Sequence, residues 1–174
     1  MLRRMFQAPQ IPLNVQLKSY SNGLRGVAQT IGVMRRLVNE GKIDPIIRSA
    51  ATSIVYLTPE KDAGAETMAL FDHVQNRIRY VGDIHDVETI STAAKTLLGK
   101  IGDCDDKSVL LASLMEAIGY PTRFVVTGYG EPGHLEHVYM QVCVDDDWID
   151  CDPTEPHPMG WAAPDPTTIY FERV

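Results

Sequence analysis

Apolar residues recur every three or four positions through the first half of the chain, which is the spacing of amphipathic helices. The pattern predicts one helix over residues 24–40, stopped by Gly41, and a third over residues 63–80. Between them, Asp44 and Pro45 suit the cap and the first position of a second helix that runs towards Thr58-Pro59. This half of the chain is therefore predicted to be helical.

Two further helices are predicted after a loop over residues 81–92 that is rich in acidic side chains. Thr92 is a suitable cap for a short helix that ends near Gly99. Asp103 is a suitable cap for residues 104–118, which carry a continuous apolar stripe: Leu110, Leu111, Leu114, Met115 and Ile118. We expect this last helix to be central and buried.

The period changes to two after Pro121, and the remaining elements are predicted to be strands. They cover residues 122–129, 137–144, 148–152 and 167–172. Helices followed by an antiparallel sheet define an α+β fold. We expect residues 24–174 to form a single domain. Residues 1–23 show no clean period and contain Pro9 and Pro12, which predicts an extended arm.

The register of the hairpin between the second and third strands can be predicted from the cost of burying charged side chains. If Cys143 pairs with Trp148 across a four-residue loop, the polar positions of both strands share one face. A three-residue loop would instead place Asp150 and Asp152 among the valines, and burying unpaired carboxylates is costly. We therefore expect the register that places His137 and Asp152 side by side.

The chain of 174 residues has a net charge of −7, distributed unevenly. Residues 1–80 carry a net charge of +5 and residues 81–174 a net charge of −12. Two interpretations remain open: the halves neutralise each other on folding, or a basic face and an acidic cleft meet different partners. An acidic chain is a poor general ligand for nucleic acid.

No apolar run approaches the ~18–20 residues of a membrane helix, so we expect no membrane partner. The first ten residues lack the apolar block of a secretory signal, and three cysteines are too few for a disulfide framework. The expected location is a reducing cytoplasm.

Cys104 is the first candidate for chemistry because it begins the predicted buried helix. A helix N-terminus carries partial positive charge and free N–H groups, which favour a thiolate and can hold an oxyanion. The flanking Asp103, Asp105 and Asp106 act in the opposite direction. From its position alone, a structural or incidental thiol is the favoured interpretation of Cys104.

His137 and Asp152 complete a possible catalytic set. A carboxylate beside an imidazole fixes its tautomer, and the imidazole can take a thiol proton and later protonate the leaving group. Such a set supports acyl transfer from an amide or ester through a thioester. A zinc site that uses His134 and His137 is a weaker interpretation, because alternation places these residues on opposite faces.

Several motifs together resemble the transglutaminase-like superfamily, in its bacterial and prophage branch. They are Gly102-Asp103-Cys104-Asp105-Asp106, residues 121–128, His137-Val138-Tyr139, Trp148 and Asp152-Pro153-Thr154. The resemblance implies a papain-like α+β fold with Cys104 as nucleophile, His137 as base and Asp152 as the residue that orients the base. It also implies a possible phage or prophage origin, in the cytoplasm of a bacterial host or associated with a virion.

The function expected from these observations is a thiol-dependent peptide or amide hydrolase, that is, a cysteine protease or amidase, which acts on a peptide or protein and needs no cofactor. The alternative is a phage assembly or virion module, which uses the same fold to bind a phage structural protein with little or no catalysis.

Overall fold

A computed structural model describes residues 16–17, 24–82 and 89–174. The helices are α1 (Leu24–Gly41), α2 (Pro45–Val55), α3 (Ala63–Arg77), α4 (Ala93–Gly99) and α5 (Cys104–Ala117). The short strands are β1 (Gln16–Leu17), β2 (Arg79–Tyr80), β3 (Thr89–Ile90) and β4 (Ile101–Gly102). The longer strands are β5 (Thr122–Gly128), β6 (His137–Val144), β7 (Asp147–Cys151) and β8 (Thr168–Arg173).

Side-chain caps set the starts of four helices. The carboxylate of Asp44 accepts from the backbone N–H of residue 46, and that of Asp62 accepts from residue 65. Thr92 and Asp103 do the same for α4 and α5. Each cap satisfies an N–H group that has no partner within its own helix. The predicted caps at residues 44, 92 and 103 are confirmed.

Two short strand pairs were not expected from the sequence. The third helix ends at Arg77 rather than at residue 80, because β2 pairs in parallel with β4. At the end of the predicted acidic loop, β3 pairs with β1. The rest of residues 1–23 and residues 83–88 lie outside the described residues, so the extended arm and the single domain over 24–174 stay predictions.

Helix α5 is the centre of the molecule, as predicted. The other four helices pack against it on one side, and strands β5 and β6 pack on the other. Its apolar side chains are completely buried: Val109, Leu110, Leu111, Leu114 and Met115. A helix buried on all sides is held by packing rather than by its own propensity.

The four longer strands form an antiparallel sheet in the order β7-β6-β5-β8. Gln141 pairs with Asp150 and Cys143 with Trp148, so the predicted hairpin register is confirmed. The connection is tighter than expected, because Val144 also pairs with residue 147. Asp145 and Asp146 both have positive φ, at 51° and 68°, as a two-residue hairpin turn requires. The helices and this sheet together make an α+β fold.

Within the described residues, no helix combines the length and the apolar composition needed to cross a bilayer.

Candidate active site

Cys104 is the first residue of α5, and the preceding residues fix it there. Asp103 caps the helix, and β4 leads directly into the cap. A Cβ on Gly102 would lie 2.6 Å from the Cβ of Asp106, so only glycine allows the strand to turn this closely into the helix. Asp106 in turn accepts a hydrogen bond of 2.6 Å from the backbone N–H of Ser91. The motif 102–106 is therefore a tightly packed strand-to-helix turn.

His137 and Asp152 are in direct contact on the sheet side. His137 begins β6, and Asp152 directly follows β7. The ring Nε2 lies 2.7 Å from Oδ2 of Asp152. The imidazole is 22% exposed and the carboxylate 3% exposed, so solvent reaches the ring while the carboxylate is buried. This contact leaves Nδ1 of His137 as the ring nitrogen available for another group.

Asp152 is held by more than the histidine. Its second oxygen, Oδ1, accepts from the backbone N–H of Thr154 at 3.0 Å and from the hydroxyl of Thr154 at 2.6 Å. Burial by itself raises the pKa of this carboxyl group, but the hydrogen bonds from His137 and Thr154 outweigh burial and lower it. Asp152 is therefore an ionised group whose position is fixed through both oxygens.

Cys104 lies beside the strand that carries His137. The backbone N–H of Val138, the next residue along β6, lies close enough to the sulfur to lower the pKa of the thiol. One turn further along α5, the hydroxyl of Ser108 donates to the carbonyl of Val138 at 3.3 Å. Two residues of one helix face thus contact one residue of the strand. These contacts set the position of the thiol relative to the histidine.

In the part of the chain that the structure describes, no hydrogen bond joins the thiol to the imidazole. The Sγ of Cys104 instead donates to Oδ1 of Asp105 over 3.7 Å. Burial raises the pKa of the thiol well above its usual range, and the charges of Asp105 and Asp103 raise it further. The hydrogen bonds from Val138 and Asp105 N–H groups lower it by less. Burial and the two aspartates therefore outweigh the N–H groups around the sulfur, and this balance favours the protonated thiol.

The weaker candidates have partners or environments of their own. His134 contacts Glu136, with Nδ1 2.7 Å from Oε1. Across the described residues, no group of three or more His, Cys, Asp or Glu side chains is arranged to hold a metal ion. Cys143 is a half-buried free thiol and Cys151 a buried one.

Three residues of this region had no role in the sequence analysis. They are Ser108, which contacts the histidine strand, Thr154, which holds Asp152, and Lys107, which is buried near Asp152. Thr154 has a local signal, since Ser and Thr two residues after an Asp often bond to its side chain. Ser108 and Lys107 have none, because their partners are distant in the chain.

Comparison with known proteins places the chain in a family. The model of the transglutaminase-like superfamily matches residues 50–153, so the chain belongs to that superfamily. No curated protein matches.

Solved structures show the same fold at low identity. A chain from Cytophaga hutchinsonii described as a "putative cysteine protease" has a TM-score of 0.53 at 13% identity, over 79% of this chain and 55% of its own. A "putative protease" from Parabacteroides distasonis has a TM-score of 0.57 at 13% identity, over 74% of this chain and 27% of its own. This chain thus spans about half of one neighbour and about a quarter of the other.

Proposed function

We propose that the protein is a thiol-dependent acyl-transfer enzyme that hydrolyses an amide bond in a peptide or protein. The observation that carries the proposal is the 2.7 Å contact of His137 with the buried Asp152, beside the start of the Cys104 helix. A fixed imidazole with one free ring nitrogen next to a thiol is the arrangement that nucleophilic catalysis needs. Membership of the transglutaminase-like superfamily supports the same chemistry.

In the first half of the reaction, the substrate carbonyl carbon approaches Sγ of Cys104. His137 accepts the thiol proton through Nδ1 while the new S–C bond forms, and Asp152 stabilises the resulting imidazolium. Backbone N–H groups at the start of α5 stabilise the oxyanion. The C–N bond then breaks, the imidazolium returns its proton to the leaving amine, and a thioester remains on Cys104.

In the second half, water attacks the thioester carbonyl while His137 takes a proton from it. The S–C bond breaks, the sulfur regains a proton from the imidazolium, and a carboxylic acid leaves. An amine in place of water would give a new amide instead. The exposure of the imidazole supports water as the acceptor, because solvent reaches the base directly.

The test is Cys104→Ala, with Cys143→Ala as a matched control that removes a half-buried thiol outside the site. Both variants and the parent protein are incubated with a peptide library, with and without methylamine, and the products are weighed by mass spectrometry. We expect hydrolysed peptides from the parent and the control and none from Cys104→Ala. Full activity in Cys104→Ala would refute the proposal, and methylamide products would make transfer the reaction.

A phage or prophage assembly module remains the alternative function. The separation of basic and acidic residues between the two halves of the chain favours a protein partner. Removal of residues 1–23 would abolish such a role while Cys104→Ala preserved it. The enzyme hypothesis expects the opposite pattern in an assay of the biological role.

A further inference from the structure

A cavity of about 540 Å³ adjoins the candidate active site. It lies between the end of α3, strand β2, helix α5 and the segment that follows Asp152. Residues 75–80, Lys107 and residues 153–156 form its wall. This volume is in the range of pockets that hold small ligands or side chains.

Lys107 is the unusual residue of this wall. The whole residue is only 2% exposed, although lysine is among the side chains least often buried. Among the described residues, its ammonium group makes no hydrogen bond and no ion pair within contact distance. Asp152 attracts it from further away and both Asp152 oxygens are already occupied by His137 and Thr154. Because Lys107 lines the cavity, an anion bound there would supply the close partner that its ammonium group lacks among the described residues.

The surrounding charges favour an anion as well. Arg77 and Arg79 line the cavity and are exposed at its rim. Together with Lys107 they give the cavity wall three positively charged side chains. Among the described lining residues, Glu155 is the one that carries a carboxylate. Burial lowers the pKa of Lys107 more than Asp152 raises it, so a bound carboxylate would also stabilise the ammonium form.

The wall of the cavity is held in place before any ligand binds. The side-chain amide of Gln75 donates to the carbonyl oxygens of Glu155 and His157, both at 2.7 Å. These bonds attach the segment after Asp152 to α3. Thr154, which also lines the cavity, is bonded to the Asp152 carboxylate. The cavity and the candidate catalytic residues therefore share one rigid segment.

The cavity is also close to Cys104 along two elements. Lys107 follows Cys104 by three residues on α5, a separation of about 5–6 Å between side-chain origins on one helix face. Tyr80, on the cavity wall, pairs with Gly102, two residues before Cys104. An extended peptide advances by about 3.3 Å per residue. The cavity is thus within about one to three residues of a peptide bond at Cys104.

We propose that this cavity is a subsite for a carboxylate group of the substrate peptide, which Lys107 binds. The inference rests on the proposed function, because it assumes a peptide at Cys104. The carboxylate can belong to an Asp or Glu side chain or to the C-terminus of the substrate. The two sources share the chemistry that the cavity recognises.

The test measures binding rather than cleavage, in the Cys104→Ala protein. Two pairs of peptides are titrated and followed by NMR: acetyl-Ala-Glu-Ala-amide against its Gln counterpart, and acetyl-Ala-Ala-Ala with a free C-terminus against its amide. We expect one carboxylate peptide to bind about tenfold more tightly than its neutral counterpart, as a charge-assisted hydrogen bond provides. The pair that shows the difference identifies the source of the carboxylate.

Lys107→Gln should reduce the ratio of the two affinities to about one, and Lys107→Arg should retain part of the preference. The control Lys61→Gln, at an exposed lysine, should leave the ratio unchanged. A readout that needs no variant at position 107 is the resonance of the Lys107 Cε, which should move only with the carboxylate peptide. Equal binding within both pairs, or a ratio that Lys107→Gln leaves intact, would overturn the subsite. A carboxylate preference without any Cys104-dependent cleavage would overturn the proposed function and not the carboxylate site.

Discussion

The two sides of the candidate active site shift the pKa values of their buried acidic groups in opposite directions. On the sheet side, Asp152 is buried, yet His137 and Thr154 saturate its oxygens and lower its pKa. On the helix side, Cys104 is also buried, but the nearest side-chain partner of its sulfur is the carboxylate of Asp105, and its pKa is raised. Burial is common to both groups, so their neighbours decide the difference: His137 and Thr154 favour the charged form of Asp152, whereas two carboxylates disfavour a thiolate at Cys104.

This difference indicates how the proposed chemistry would be divided. The sheet side holds a fixed carboxylate that could stabilise an imidazolium, whereas the surroundings on the helix side favour the protonated form of the Cys104 thiol. Proton transfer from Cys104 to His137 would then accompany attack on the substrate rather than precede it.

The largest expected effect follows from removing the base. His137→Ala should lower the rate of Cys104-dependent peptide cleavage by about 10²- to 10⁴-fold, the usual contribution of a general base. His134→Ala is the matched control, because that histidine contacts Glu136 at an exposed site. Steady-state cleavage, followed by mass spectrometry, measures both variants. A cleavage rate that survives in His137→Ala would mean that another group accepts the thiol proton.

The next effect concerns the charge beside the nucleophile. Asp105→Asn removes a carboxylate that raises the pKa of Cys104, so the thiolate fraction at neutral pH should increase. The thiolate fraction should rise about tenfold for each unit by which the pKa falls, and the iodoacetamide labelling rate of Cys104 by about three- to fourfold, because a less basic thiolate is a weaker nucleophile. The control is Asp147→Asn, at the exposed start of β7, which makes the same change in net charge away from Cys104. Equal labelling rates in the two variants would contradict the role given to Asp105.

A smaller effect should appear in acid stability. The pKa of Asp152 is lower in the folded protein than in the unfolded chain, so its stabilisation is complete above the unfolded value of about 3.9. That stabilisation is lost as the pH falls through the folded pKa. The free energy of unfolding in urea should therefore decline less steeply with acid in Asp152→Asn than in the parent. The control is Asp72→Asn, on the exposed side of α3, for which the unfolding free energy should decline with acid as it does in the parent.

The smallest expected effect tests the contact that joins the two sides. Ser108→Ala removes the hydrogen bond to Val138 and should cost about 1 kcal/mol of unfolding free energy. Ser113→Ala is matched, because Ser113 is equally buried on α5 but bonds within its own helix, to Val109. Only Ser108→Ala should also slow Cys104-dependent cleavage. An unchanged cleavage rate would mean that packing alone aligns α5 with β6.

Much of the fold could be read from local patterns. The caps at Asp44, Thr92 and Asp103 lie next to the apolar periods that they begin, and the strand predicted over residues 137–144 has the bounds of β6. The hairpin register followed from the cost of burying carboxylates. The pairing of β2 with β4 could not be read, because strands of two residues have no period.

The candidate site was accessible to sequence analysis only in part. Motifs and register placed His137 beside Asp152, and the structure has these two side chains in contact. The protonation of Cys104 was not accessible, because the helix terminus and the aspartates oppose each other and burial is a tertiary quantity. Lys107 gave no signal, since composition favours a solvent-exposed lysine and only the packing of α3 and the segment after Asp152 buries it.

The order of elements, the caps, the face of each hairpin strand and the residue types available for chemistry follow from local sequence, because they depend on neighbours within a few positions. Tertiary packing is needed to bring Ser108 and Cys104 to Val138, to bond Thr154 to Asp152 and to form the cavity beside Lys107. These features depend on residues that are far apart in the chain. Their burial and their partners exist only once α5 has packed between the helices and the sheet.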